Sequence, residues 1–193
     1  MSRGARTRPS TLVGAWVGNG LVTDFSSYES IATTTVGAGG QATITFSSIP
    51  STYKHLQVRM LVKSSGATDA CDMRFNSDTG NNYAYHELYG TGSSAGSAAS
   101  APRSAMPLVS PGIASSSTNM FSIGVVDILD YADTNKNKTI RNIGGYDLNG
   151  SGAASLVSNV WLNTSAISTI TIYLRASTNF GQYSHFALYG IKG

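Results

Sequence analysis

The sequence has few charged residues, a single cysteine and no long apolar run. Charged side chains make up 12% of its 193 residues, about half the share usual in soluble proteins. Cys71 is the only cysteine, which excludes an intrachain disulfide framework and a cysteine-rich zinc site. No apolar stretch approaches the ~20 residues that a membrane-spanning helix needs. Membrane insertion through helices is therefore not expected.

One short apolar stretch, TLVGAWVGNGLV at residues 11–22, follows basic residues as the core of a signal peptide would. Glycine and asparagine interrupt it, and no small-residue cleavage site follows it. We therefore expect an unprocessed protein that is made in the cytoplasm.

Small polar residues and glycine are abundant instead, with 28 Ser, 19 Thr and 21 Gly. These residues are middling to poor helix formers, and they suit short strands and turns. Cys71 lies in ACDMRF, where it alternates with Met73 and Phe75. This pattern predicts a buried structural thiol rather than a nucleophile.

The net charge of +3 belongs to the N-terminal segment. Arg3, Arg6 and Arg8 lie among residues 1–11 without any acidic residue, and the rest of the chain has ten basic and ten acidic residues. The body has no basic stripe of the kind that binds nucleic acid, so nucleic acid is not an expected partner. We predict that residues 1–26 form an extended assembly arm, in which Arg3, Arg6, Arg8 and Trp16 contact a neighbouring subunit.

Apolar residues recur with a period of two along most of the chain, as in β-strands. In KHLQVRMLVK, residues Leu56, Val58, Met60 and Val62 face one way and polar residues face the other, with Leu61 as the exception. QATITF, ISTITIYL and YSHFALYGI repeat the pattern, and further strand candidates lie at 28–36, 70–76, 83–89, 120–129, 139–146 and 156–162.

About ten short strands without a helical pattern predict an all-β fold over residues 27–193. We expect an antiparallel β-sandwich of the jelly-roll type, with the N-terminal arm outside it. An immunoglobulin-like sandwich is the alternative, although its Cys-Trp-Cys signature is absent.

Residues 90–118 interrupt the strand rhythm with a segment that is rich in Ser, Ala and Gly. It contains Pro102, Pro107 and Pro111. We predict a long loop that is anchored by the apolar MPLV and lies over a neighbouring subunit or near a ligand.

No residue pattern indicates catalysis or cofactor binding. His55, His86 and His185 each lie in a strand pattern without a second ligand at metal-binding spacing. The nucleophile elbow G-x-S-x-G is absent, and the aspartates between 127 and 133 suit a solvated turn. We therefore predict no catalytic residues, no metal and no cofactor.

The polar loop SDTGNN at residues 77–82 separates two strand candidates. Asp78, Asn81 and Asn82 favour a hairpin turn, although a weak ion or sugar contact is the alternative. Tyr83, Tyr85 and Tyr89 alternate after the loop. They are predicted to share one face, which would form a subunit interface or stack on sugars.

Several segments together resemble bacteriophage virion proteins of the minor tail and tail-fibre-like group. They are SYESIATTT from residue 27, FSSIPSTYKHLQ from residue 46, RFNSDTGNNY and the closing YSHFALYGIKG. The similarity covers residues 27–193 and leaves the arm outside. It implies a non-enzymatic, symmetric virion component with a small jelly-roll body, and related sandwiches also decorate capsids.

Three hypotheses follow for the function. The first is a tail-associated virion module, an adaptor or part of a tail fibre, that docks through its arm and contacts the host surface. The second is a capsid decoration protein, and the third is a carbohydrate-binding sandwich. The predicted partners are other tail or capsid subunits, further copies of the chain (a trimer among the arrangements) and a glycan of the host surface.

Overall fold

The computed structural model describes residues 16–17, 20–21, 27–66, 69–113 and 119–193, with side chains from residue 27 onward except 109–113. This part of the chain forms fourteen β-strands. The first seven are β1 (Trp16–Val17), β2 (Gly20–Leu21), β3 (Tyr28–Thr35), β4 (Thr43–Phe46), β5 (His55–Val62), β6 (Asp69–Phe75) and β7 (Tyr83–Gly90). The others are β8 (Ala95–Arg103), β9 (Met106–Ile113), β10 (Ser122–Ile128), β11 (Lys138–Asp147), β12 (Gly152–Trp161), β13 (Ile170–Leu174) and β14 (His185–Ile191). No helix that could span a membrane occurs among the described residues.

Two antiparallel sheets form the predicted β-sandwich. The large sheet has eight strands in the order β3-β14-β5-β10-β11-β12-β7-β8, and the small sheet has the order β4-β13-β6-β9. The strands β3, β14, β5 and β10 make one half of a jelly roll, and the small sheet makes the other. Successive framework strands alternate between the sheets, except where β9 follows β6 in the same sheet.

Two hairpins extend the large sheet beyond the eight-stranded framework. The β7–β8 hairpin lies between β6 and β9 in the chain, and the β11–β12 hairpin lies between β10 and β13. The tight turn of the second hairpin has positive φ angles of 58° at Asn149 and 122° at Gly150. Asn-Gly is favoured there because a two-residue hairpin loop needs such angles. Both hairpins lie on the β10 side of the framework and double the width of the sheet.

The core lies between the sheets, at the positions that the two-residue period selects. Leu56, Val58, Met60 and Val62 are buried on one face of β5, as predicted. Phe46, Phe75, Phe180 and Phe186 are further buried members of the same core. The strand candidates at 28–36, 70–76, 83–89, 120–129, 139–146 and 156–162 all correspond to strands. Apolar burial of this extent is the main favourable contribution to folding.

The segment 90–118 differs from the predicted long loop, because it contains β8 and β9. β8 pairs with β7 at the edge of the large sheet, and β9 pairs with β6 at the edge of the small sheet. Ser, Ala and Gly have weak strand preferences, so these strands depend on their partners rather than on their own residues. Met106 and Leu108 of the MPLV motif are fully buried in the core. The apolar anchor therefore lies in the sandwich of its own chain.

Candidate functional site

The polar loop at residues 77–82 is a turn whose polar groups bond to one another. Asp78 Oδ1 accepts a hydrogen bond from the Gly80 N–H at 2.8 Å. Asp78 Oδ2 accepts bonds from Asn82 Nδ2 at 2.9 Å and from Trp161 Nε1 at 2.7 Å. Both carboxylate oxygens of Asp78 thus have protein donors, which supports the turn over the ion site. Asn81 is exposed.

These hydrogen bonds change the pKa of the Asp78 carboxyl group. Its partial burial acts to raise its pKa, but the hydrogen bonds from Asn82, Trp161 and Gly80 outweigh that effect, so the pKa of Asp78 lies below its usual value. Ionised Asp78 therefore stabilises the folded state. That stabilisation is complete above the unfolded-state pKa of about 3.9 and is lost as the pH falls through the lower folded-state pKa.

Replacing Asp78 with asparagine is expected to destabilise the protein by about 1–3 kcal/mol at pH 7, because charge-assisted hydrogen bonds are lost. The difference between the two proteins should shrink at pH 3, where the wild type begins to lose the contribution of the carboxylate. Urea unfolding of both proteins at the two pH values measures this. An equal difference at both pH values would contradict the assignment. A calcium-dependent melting temperature that the variant lacks would identify an ion site instead.

The three tyrosines of β7 do not share an accessible face. Tyr83 is fully buried, and its ring stacks on Trp161 at a centroid distance of 6.3 Å. Its hydroxyl lies 3.1 Å from the Phe75 N–H, from which it accepts a hydrogen bond. Tyr83 is therefore a core residue. The two-residue alternation of the tyrosines was predicted correctly. The exposure of their face was not, because the period of a strand does not say which of its faces is buried.

Tyr85 and Tyr89 are half-buried on the side of β7 that carries Tyr83. The guanidinium of Arg103 lies 5.4 Å from the centre of the Tyr85 ring. The Tyr89 ring covers Gly96 of β8 so closely that a Cβ atom there would lie 2.6 Å from it. The Tyr85 ring thus packs against Arg103 at the end of β8, and the Tyr89 ring packs against Gly96 within β8. The two rings do not form an open ladder on which sugars could stack.

The other chemical groups are separate from one another. His55 Nδ1 accepts the Asp130 N–H at 3.0 Å, and His185 Nδ1 lies 2.8 Å from Thr35 Oγ1. Lys136 and Lys54 hydrogen-bond Asp130 and hold its pKa down at about 2. Cys71 is buried, and burial raises its pKa well above the usual value. Over the described ranges, no group of three His, Cys, Asp or Glu residues could hold a metal ion.

The predicted assembly arm lies almost entirely outside the described residues. Arg3, Arg6 and Arg8 are not described. Trp16 belongs to β1, which pairs with β2 through the register Trp16 to Leu21. Nothing in the structure thus tests the contacts predicted for the arm.

A different candidate site lies on the outer face of the large sheet, which points away from the small sheet. Large apolar side chains from five neighbouring strands are exposed there. Leu61, Ile123, Ile143, Leu156 and Leu88 expose between 42% and 63% of their surface. The strand register makes them neighbours, since Leu61 pairs with Ile123, Val125 with Ile143, Ile143 with Leu156, and Leu156 with Leu88. We call these five residues and Val125 the apolar face.

The apolar face was missed by sequence analysis, although one signal pointed to it. Leu61 breaks the alternation of β5, and Ile123 breaks that of β10 in the same way. Each exception alone is ordinary, because single exposed apolar residues are common. Only the register shows that the exceptions are adjacent, and five strands at a spacing of ~4.8 Å make the face roughly 20 Å wide.

A row of polar side chains borders the apolar face on one side. Gln57 Nε2 donates to Asp127 Oδ1 at 2.8 Å, and Arg141 donates to Asp127 Oδ2 at 2.9 Å. Partial burial acts to raise the pKa of Asp127, but the bonds from Gln57 and Arg141 hold it below the usual value. Arg59 donates to Gln57 at 2.7 Å and lies over the Tyr189 ring at 5.2 Å. The border is thus an ordered network of polar and charged groups.

A shallow groove runs along the other side of the apolar face. Gly145 and Ala154 are paired across β11 and β12, next to Ile123 on one side and Gly90 on the other. Gly145 has no side chain and Ala154 has only a methyl group, which leaves a depression of about 440 Å³ beside Ile123, with Phe121, Ile143 and Asp147 in its lining. A neighbouring depression of about 300 Å³ continues along Leu88, Gly90 and Leu156. We call the two depressions together the groove.

No family model matches the chain, and neither a curated protein nor a solved structure matches it.

Proposed function

We propose that the protein is a non-enzymatic structural component of a bacteriophage particle, associated with the tail and joined to neighbouring subunits. The observation that carries the proposal is the apolar face, where five large side chains are exposed side by side. An exposed apolar surface with a polar border is typical of protein interfaces. The phage and tail assignment draws on the resemblance of residues 27–193 to minor tail proteins.

The chemistry of the described residues favours this proposal over the carbohydrate-binding alternative. A sugar site needs free polar groups beside an open aromatic ring. The carboxylate of Asp78 is occupied by Gly80, Asn82 and Trp161, and Tyr83 is buried. This loop therefore gives no support to a host-contacting role of the module. The docking role is supported by the apolar face.

Mass spectrometry of purified phage particles, separated into heads and tails, tests the proposal. The chain is expected in the tail fraction in a fixed number of copies per particle. Its presence only in heads would overturn the tail assignment in favour of capsid decoration. Its absence from washed particles would overturn the virion assignment altogether.

A complementation experiment tests the role of the apolar face within that proposal. Ile143→Asp and Leu156→Asp together place two charges on the face at exposed positions, so the fold should tolerate them. We expect incorporation into particles to fall at least tenfold, because an unpaired charge in an interface is costly. Ser158→Asp, on the same face of β12 but in the polar row, is the matched control and should incorporate normally. Normal incorporation of the double variant would exclude the apolar face as the docking surface.

A further inference from the structure

We infer that the groove binds the apolar stretch at residues 11–21 of a neighbouring copy of this chain. The inference rests on the proposed function, because it names the partner that covers part of the apolar face. The groove is lined by Ile123, Ile143, Leu156 and Ala154 and has the open shape of a site for a peptide segment.

The composition of residues 11–21 fits an apolar groove. TLVGAWVGNGL contains Leu12, Val13, Trp16, Val17 and Leu21, and it has no charged residue. Within the described residues, β1 and β2 pair only with each other, through two residues each. An isolated pair of strands is marginally stable at best in water, so this pair needs an apolar surface to pack on.

The geometry of the sheet favours a neighbouring copy over the same chain. Tyr28, the first residue of β3, pairs with Ile191, which in turn pairs with His55 at the start of β5. The groove begins beside Leu61, six residues after His55, near the other end of β5. The groove at β11 is also four strands away from β3. These offsets place it roughly 28 Å from Tyr28 along the sheet. The seven residue steps from Leu21 to Tyr28 span at most about 24 Å.

Trp16 gains no additional reach over Leu21, because the two residues are paired. Trp16 and Leu21 of one chain therefore fall short of its own groove. A neighbouring copy has no such restriction. This arrangement also repeats, since each copy supplies one segment and one groove.

Charge supports the same partner. Asp147 lines one end of the groove and is exposed. Arg3, Arg6 and Arg8 come shortly before the apolar stretch, with no acidic residue among them. An arginine can thus pair with Asp147 while the apolar residues occupy the groove. Exposed ion pairs contribute little to affinity, so we expect the apolar contacts to dominate and salt to have a small effect.

Photo-crosslinking of the full chain identifies the occupant. The photoreactive p-benzoylphenylalanine replaces Leu156, an exposed residue of the groove, in copies of natural isotopic composition, which are mixed with ¹⁵N-labelled wild-type copies. We expect crosslinked peptides from residues 11–21 that carry the ¹⁵N label. Crosslinks to residues 11–21 only of the same copy would overturn the neighbouring-copy assignment. Crosslinks to the apolar face of another copy, or no crosslinks at all, would overturn the segment as the occupant.

Sedimentation velocity measures the association itself. The full chain is expected to form species larger than the 20.2 kDa monomer. Ala154→Glu fills the groove with a charged side chain at an exposed position and should weaken association at least tenfold, whereas Ser158→Glu on the same strand should not. A full chain that stays monomeric, or an Ala154→Glu variant that associates normally, would overturn the inference. Tail localisation is measured separately, so the proposed function can survive the failure of this inference.

Discussion

Replacing Trp161 with alanine is expected to lower the free energy of unfolding by about 3–5 kcal/mol, the range for large aromatic residues in cores. Trp161 exposes only 1% of its surface, at the end of β12. Its ring contacts Phe75 edge-on at 5.5 Å and stacks on Tyr83 at 6.3 Å. Its Nε1 also donates to Asp78. The substitution therefore leaves a cavity and deprives the 77–82 turn of one donor.

Two control variants separate the packing of Trp161 from its hydrogen bond. Trp161→Phe keeps most of the ring contact but removes the N–H, so it should cost clearly less than Trp161→Ala. If the bond to Asp78 matters, combining Trp161→Phe with Asp78→Asn should cost less than the sum of the two single changes, because both remove the same interaction. Chemical denaturation of the wild type and of the four variants measures these terms. A cost below about 1 kcal/mol for Trp161→Ala would contradict the central packing role.

The class of fold could be predicted from the sequence because one signal repeats along the chain. In β5, the alternation of Leu56, Val58 and Met60 with polar residues leaves one solution for which side is buried. Turn residues such as Asn149 and Gly150 mark the ends of strands through their positive φ angles. The jelly-roll type followed from the number of strands, and the strand order confirms it.

The strands β8 and β9 could not be predicted, because their local sequence carries little information. AGSAASAP in β8 has no large apolar residue and alternates only between small side chains. Its strand conformation comes from pairing with β7, which is a long-range interaction. Pro107 would ordinarily count against a strand, but β9 lies at the edge of the small sheet, where proline is tolerated.

The candidate docking surface also depends on long-range pairing. Leu61, Ile143 and Leu88 lie far apart in the sequence, and each looks like an isolated exposed residue. Strand register places them on one surface. The sequence prediction for Asp78 was correct for the turn, which depends on local chemistry. The prediction for the tyrosines could not identify the buried face of β7, which depends on where the small sheet packs.

Lys138 is the second residue whose replacement should have a large effect, although NKNKT looks like a solvent-exposed turn in the sequence. Its side chain is fully buried. Burial lowers its pKa, and its Nζ donates to the backbone oxygens of Asp133 at 2.5 Å, Lys136 at 3.0 Å and Thr164 at 2.8 Å. One ammonium group thus holds together the loop before β11 and the loop after β12.

Replacing Lys138 with methionine should therefore cost about 3–5 kcal/mol, because the apolar stem remains while three carbonyl groups lose a charged donor. Lys136→Met is the matched control two residues away. Lys136 is 52% exposed and pairs with Asp130 and Asp133 at the surface, and such exposed pairs contribute little to stability. Urea unfolding of both variants at pH 7 measures the contrast. Equal losses would show that Lys138 acts as an ordinary surface charge, and that the two loops are held together by other contacts.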